Sequence, residues 1–342
     1  MATGISSWGT SVTQSAWAKD VIYEAQLESH IMRFVGDSPN SIIQRKHEIQ
    51  KVSGDRVYFH LYIELSNAPR TGSQEMSGNE ETTTSYADDV LLNRTRHAVK
   101  VRARLEPLKS NKNHLTIARH LLKQYFSNLM NDYCIRWLEG DSSMSWPETA
   151  SQPSTNRIMY GGDATGSDDM GSSDIASGDW LGTAELTRAY SSMIACDPKF
   201  RPMNVDGMKV YVGFIHPRQE YTLITDATWQ AAQEYAMPRG KLNPIFTGAL
   251  GMWSSVVLFR DENLMTNSTP DEASAIFCGQ QAAMMAMGNG PFADEEKDDY
   301  NDIHGICLDL CWGLKKSVFN SEDFSVMRMD TYAAAPTGVA HS

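Results

Sequence analysis

The 342 residues are 41% apolar and 21% charged, the range of ordinary folded proteins, which excludes an intrinsically disordered chain. A formal net charge of −12 speaks against a surface that wraps DNA tightly, since such surfaces need many lysines and arginines. The longest apolar stretches, such as Ser254 to Phe259, fall far short of a membrane span, and MATGISS lacks the basic flank and apolar core of a secretory signal.

The expectation is therefore a soluble protein, folded inside a cell, with no membrane partner. The five cysteines (Cys134, Cys196, Cys278, Cys307, Cys311) are scattered and odd in number, so they read as free thiols of a reducing compartment rather than a disulfide framework.

Along the chain, a Ser/Thr/Gly-rich start leads into AWAKDVIYEAQLESHIMRFV (16–35), whose apolar residues recur at helical spacing. DRVYFHLYIEL (55–65) alternates: Val57, Phe59, Leu61, Ile63 and Leu65 point one way, Tyr58, His60, Tyr62 and Glu64 the other, the pattern of a half-buried strand. A polar stretch (67–89) follows, with Glu75, Glu80, Glu81, Asp88 and Asp89. NRTRHAVKVRARL (93–105) is a second alternating strand, with Arg94, Arg96, Lys100, Arg102 and Arg104 on one parity and His97 among the apolar residues on the other. Two long strands flanking a polar tip predict a protruding hairpin, marginal alone, that must lie against something else. An acidic surface on another copy, such as the tip with Glu75, Glu80 and Glu81, would complement the basic arm. Reversing Arg96, Lys100 and Arg102 to glutamate is then expected to spare folding and impair assembly.

NHLTIARHLLKQYFSNLMNDYCIRWLE (113–139) carries the strongest helical period, with Leu115, Ala118, Leu122, Tyr125, Leu129, Tyr133 and Trp137 on a core-facing stripe. Such a helix is about 40 Å long, and Gly140 is placed to stop it. After a loop-like stretch (140–182), a helix is predicted at 185–196, a buried strand at 209–217, and a helix capped by Asp226 through about 236. Further strands are predicted at 254–259 and 274–278, with ICLDLCWGLKK and FSVMRMDTY closing the chain. Helices and strands do not alternate, so the class is α+β rather than a doubly wound sheet.

Candidate chemistry is thin. GGDATGSDDMGSSDIASGD (161–179) holds five aspartates and no cation. Gly161 and Gly166 have phosphate-loop spacing, but Ser167 and Asp168 stand where Lys-Ser/Thr is needed, and an aspartate there repels phosphate. Asp163, Asp168, Asp169, Asp174 and Asp179 keep no calcium-loop spacing and lack a closing glutamate. The stretch reads as a solvated loop, with a metal bridging subunits as the minority alternative. His304, Cys307 and Cys311 have no second ligand pair for structural zinc. The nine histidines form no H-E-x-x-H, and neither a G-x-S-x-G elbow nor a G-x-G-x-x-G after a strand occurs. No catalytic residue, metal ligand or cofactor is therefore assigned.

Several stretches, in order and spacing, are similar to the N-four-like branch of tailed-phage major capsid proteins. They are GDRVYF (54–59), RHAV (96–99), PSTNRIMYGGDA (153–164), VYVGFIHPRQEYTLITDATW (210–229), NPIFTGALG (243–251) and SVFNSEDFSVMRMDTYA (317–333). The resemblance spans about residues 50 to 335. It implies the HK-ninety-seven-type capsid fold, with an N-terminal arm (1–48), an extended hairpin loop (49–106) and a peripheral domain with a spine helix (107–182). An axial domain (183–300) and C-terminal strands returning to the peripheral domain (301–342) complete it.

The implied function is a non-enzymatic shell subunit, in hexamers and pentamers of an icosahedral capsid. The implied shell encloses double-stranded DNA without sequence-specific binding and is assembled in the host bacterial cytoplasm, with scaffolding, portal and decoration proteins as further partners. Competing readings are a metal-dependent hydrolase using the aspartate loop, or another virion component such as a tail-tube or decoration protein.

Overall fold

The computed structural model describes residues 10–47, 55–62, 69–73, 75–83, 85–102, 114–162, 175–205, 207–235, 248–268, 271–288, 291–300 and 302–334. The N-terminal half runs α1 (Thr10–Glu28), β1 (Val35–Gly36), β2 (Ile43–Lys46), β3 (Arg56–Tyr62), β4 (Ser85–Leu91), β5 (Asn93–Arg102), α2 (His114–Glu139) and β6 (Ile158–Tyr160). Next come α3 (Thr183–Ala195), β7 (Met203–Val205), β8 (Met208–Ile215), α4 (Pro217–Thr225), α5 (Ala227–Tyr235), β9 (Gly251–Trp253), β10 (Val256–Arg260), β11 (Thr266–Ser268) and β12 (Asp271–Cys278). The chain closes with β13 (Ala283–Met287), β14 (Phe292–Asp298), β15 (Ile303–Lys316), β16 (Val318–Phe319), β17 (Glu322–Asp323) and β18 (Val326–Tyr332). The fold is α+β, and none of the described helices is long and apolar enough to cross a membrane.

Two sheets organise the molecule. One has the order β1-β2-β13-β15-β14, with β5 on the free side of β15; the other runs β6-β18-β12-β8-β10-β9, with β11 on β12 and β7 on β8. The central strands are apolar on both faces because both faces are covered. In β8, Val212 and Phe214 enter the core shared with α1 and α2, while Tyr211 and Ile215 enter a second core under α3 and α5. In β13, Ala283, Met285 and Met287 face the first core, and Met284 and Ala286 face a third, built on the β3–β4 hairpin.

Helix α2 matches its predicted span to within a residue. Its buried line is Ala118, Leu122, Phe126, Met130 and Cys134, with Tyr125 39% exposed, so the core face is rotated from the predicted stripe. Gly140 ends it at φ +76°, a left-handed conformation that suits glycine. Its N–H reaches the Arg136 carbonyl at 2.9 Å. One side chain organises three helix ends: the Asp226 carboxylate accepts from Thr228 N–H at the start of α5 and from the N–H and hydroxyl of Thr183 at the start of α3, and Asp226 itself follows α4. Sequence reading missed α4, whose start is fixed by Pro217 behind a reciprocal His216–Gln219 capping box.

The predicted hairpin is corrected in its pairing. β3 pairs with β4, from Arg56 against Leu91 to Tyr62 against Ser85. β5 does not pair with β3; it leaves the hairpin and runs antiparallel to β15, from Arg102 against Ile303 to Asn93 against Trp312. The polar stretch 67–89 hid β4 because SYADDVL carries two aspartates; Asp88 is nevertheless buried, bonded to Lys315 at 2.6 Å and to Val318 N–H. The crossing is tight: a Cβ on Gly313 of β15 would collide with the Leu91 carbonyl oxygen.

Candidate assembly surfaces

The β3–β4 hairpin is amphipathic by strand period. Val57, Phe59, Leu61 and Val90 are buried against Met284, Ala286, Phe319 and Phe324. The opposite parity of β3 leaves Tyr58 and Tyr62 exposed, and Arg56 pairs with Asp89 and Glu148. Other large apolar side chains stand in solvent on separate elements: Ile117, Leu121 and Tyr125 one turn apart along α2, Tyr23 and Leu27 on α1, Tyr221 and Ile224 on α4. Apolar residues aligned on a helix face outside the core mark contact surfaces rather than random scatter.

The basic parity of β5 is exposed, and three of its charges have in-chain partners. Arg94 and Arg96 both hold Asp309, whose side chain is 2% exposed, and Lys100 lies 3.8 Å from Asp298. Arg102 is exposed, and Arg104 lies outside the described residues. Glu75 and Glu80 are exposed near the hairpin tip, Glu80 accepting from Gly78 N–H, and Glu81 is half-buried. Among the described residues no ion pair joins Glu75 or Glu80 to Arg94, Arg96, Lys100 or Arg102. His97, on the inner parity, stacks on Tyr125 with ring centroids 4.0 Å apart.

Buried ionisable groups behave as structure. Lys316 and Asp323 form a 2.7 Å pair with side chains 1% and 2% exposed, and burial lowers the Lys316 pKa. Near the end of α2, Arg328 grips Asp330 at 2.7 Å, Ser274 donates to Asp330, and both Glu139 oxygens accept from Met265 N–H. Burial pushes the Glu139 carboxyl up to about 7. His216 is held down to about 4 by burial and by nearby Arg218, which keeps its ring neutral so that Nδ1 accepts the Arg218 N–H of the cap. Burial also raises the Cys134 and Cys278 thiols, leaving them unreactive.

A cavity of about 780 Å³ is lined by His30, Tyr125, Asn131, Asp132, Arg260 and Asp261 among others, with His30 Nε2 2.9 Å from Asp261. Among the described residues, no serine or cysteine lines it. Among the described residues no group of three or more His, Cys, Asp or Glu side chains is arranged to hold a metal. Of the aspartate-rich loop, Asp163, Asp168, Asp169 and Asp174 lie outside the described residues. Asp179 closes a turn by accepting Ala176 N–H, and its carbonyl accepts Tyr332 N–H.

A model of the phage capsid protein family matches residues 7–335. The major capsid protein of Pseudomonas phage KPP25 is 24% identical over 367 residues, covering 95% of this chain and 96% of that one. The capsid of Ralstonia phage GP4 superposes with a TM-score of 0.80 at 29% identity, over 99% of this chain and 100% of that one. The capsid of cyanophage Pam1 gives 0.74 at 21% identity, over 90% and 92%, and shares the fold. A match of this extent, on a chain with apolar side chains displayed on several separate elements, is conclusive: the protein belongs to the phage capsid protein family and is a capsid shell protein of the HK-ninety-seven-type fold.

Proposed function

We propose that this chain is the major capsid protein of a tailed phage, gathering as hexamers and pentamers into an icosahedral shell around double-stranded DNA, with no catalytic step of its own. The observation that carries the reading is the family match across residues 7–335. Exposed apolar side chains on the hairpin, α1, α2 and α4 support it, since each offers a separate modest contact. Many weak contacts made together give a stable shell, because each raises the effective concentration for the next. The net charge of −12 fits a container that holds DNA without sequence-specific grip.

On this reading residues 1–48 serve as arm, 49–106 as extended loop, 107–182 as peripheral domain, 183–300 as axial domain and 301–342 as returning strands. Arg94, Arg96, Lys100, Arg102, Arg104, Glu75, Glu80 and Glu81 lie at contacts between copies. Assembly takes place in the host cytoplasm, with scaffolding, portal and decoration proteins as partners.

The test is negative-stain electron microscopy of the chain expressed alone and with its neighbouring viral genes. Closed polyhedral shells or hexameric sheets are expected. A persistent monomer under both conditions overturns the reading, and stacked tubes point to a tail-tube role instead.

A further inference from the structure

β5, β15 and β14 form a three-stranded arm, and their registers fix which side chains share its outer face. Arg102, Ile303 and Asp298 stand in one row, Lys100, Gly305 and Glu296 in the next, then Ala98, Cys307 and Asp294, then Arg96, Asp309 and Phe292. Residues directly opposed on antiparallel neighbours lie on the same face. The face therefore carries a basic column on β5 and an acidic column on β14, with the small or half-buried residues of β15 between them. The other face is covered: α2 lies on β5 and β15, α1 lies on β14, and Glu295 reaches Arg119 of α2 at 3.6 Å.

Both outer edges of the arm are open among the described residues, since β5 and β14 each pair only with β15. An open strand edge is a template for another strand unless its charges forbid the match. Here the charges forbid two matches and permit one. A two-fold contact of β14 with itself would set Asp294, Glu296 and Asp298 against the same acids. A two-fold contact of β5 with itself would oppose Arg94, Arg96, Lys100 and Arg102 in the same way. Like charges directly across a strand pair are destabilising.

A head-to-tail contact escapes both penalties. Each edge strand is antiparallel to β15, so β5 and β14 run in the same direction. A sheet continued from one copy into the next pairs them in parallel, and both columns repeat every second residue. We infer that the basic β5 edge takes, as its partner, the acidic β14 edge of a second copy of this chain. This contact rests on the shell reading above, which supplies the copies, and it names the acidic surface that the β5 arm meets.

The charges best placed for it are those without an in-chain ion pair among the described residues: Arg102 on one edge, Asp294 and Glu296 on the other. Lys100 and Asp298 are about 60% exposed and 3.8 Å apart, a pair that solvent screens and a neighbour can exchange. Phe292, 48% exposed at the end of the acidic column, adds apolar contact. A head-to-tail contact closes into a ring when its rotation divides a full turn, as a closed shell requires.

The experiment uses the full chain in three variants, Arg102→Glu, Glu296→Lys and both together, with assembly followed by light scattering at about 0.1 M salt. Each single variant is expected to raise the concentration needed for assembly about tenfold. The double variant restores it, because Glu at 102 then meets Lys at 296 of the next copy. Within one chain these two positions are two strands and one row apart, the offset across which Lys100 and Asp298 meet. The Arg102→Glu and Glu296→Lys chains are therefore also mixed one to one: no single chain then carries both changes, and rescue in the mixture comes only from contacts between copies. Thermal melting of the unassembled variants should match wild type, since both side chains are exposed. Singles that assemble like wild type, or a double variant worse than either single, overturn the contact and leave the shell reading standing. A wild-type chain that forms neither shells nor rings overturns both.

Discussion

Glu139 makes the free chain's stability depend on pH in a direction opposite to that of a paired surface carboxylate. It ends α2 fully buried, and burial raises its pKa from 4.5 to about 7 against the opposing pull of Met265 N–H and Arg328. The folded chain thus holds this proton more tightly than the unfolded chain does. The stability it contributes is complete below about pH 4.5 and is lost as pH rises through about 7. At about 1.4 kcal/mol per pH unit, the loss across that window is about 3 kcal/mol. Glu139→Gln keeps an acceptor for Met265 N–H and cannot ionise. Urea unfolding of the unassembled chain should therefore show the two proteins within about 1 kcal/mol at pH 5, and the variant more stable by up to about 3 kcal/mol at pH 8. Equal pH slopes for the two chains, or a variant less stable at pH 8, would refute the placement of an uncompensated carboxyl at this site.

Removing one half of the Lys316–Asp323 pair should be far more harmful than removing both. Asp323→Ala strands a buried ammonium and is expected to cost about 3–5 kcal/mol, whereas Lys316→Met with Asp323→Leu should recover most of it. Thermal melting of the three chains decides the point, and a single-variant loss under about 1 kcal/mol contradicts it. Asp226→Ala removes caps from both α3 and α5 at once, so a loss of about 2 kcal/mol is expected in denaturant unfolding, against about half that for Thr183→Val, which loses its hydroxyl bond to Asp226 and keeps both backbone ones.

The long local periods were legible in sequence. α2, β8 and the outer parity of β5 follow from spacing, because a helix or strand repeats its own pattern whatever it packs on. Pairing was less legible. β3 could take β4 or β5 as neighbour on alternation alone, and the choice is made by distant residues: β15 offers Asp309 to Arg94 and Arg96, and Thr95 accepts from the Trp312 indole at 3.1 Å. β14 was hidden in ADEEKDD because it is an edge strand with one buried residue, Ala293, so it lacks an apolar alternation to detect. Both sheets draw strands from distant parts of the chain, and such contacts leave no local trace.

The basic column of β5 shows why site reading from sequence stops short even when the pattern is right. Five cations on one parity look interchangeable, and reversing Arg96, Lys100 and Arg102 together looks like a surface change. Asp309 separates them. Its side chain is 2% exposed, 215 residues from Arg94, and its charge is tolerated there because Arg94 and Arg96 hold it. Arg96→Glu would set a carboxylate beside a buried carboxylate, so it should lower the melting temperature of the free chain by several degrees. Arg102→Glu, exposed and opposite Ile303, should leave melting unchanged and act on assembly alone. An assembly defect in the triple reversal would therefore mix a folding loss with a contact loss, and only the two single variants, melted before they are assembled, separate them. If Arg96→Glu melts like wild type, Asp309 does not depend on its two arginines, and the division of the column into a folding half and a contact half falls.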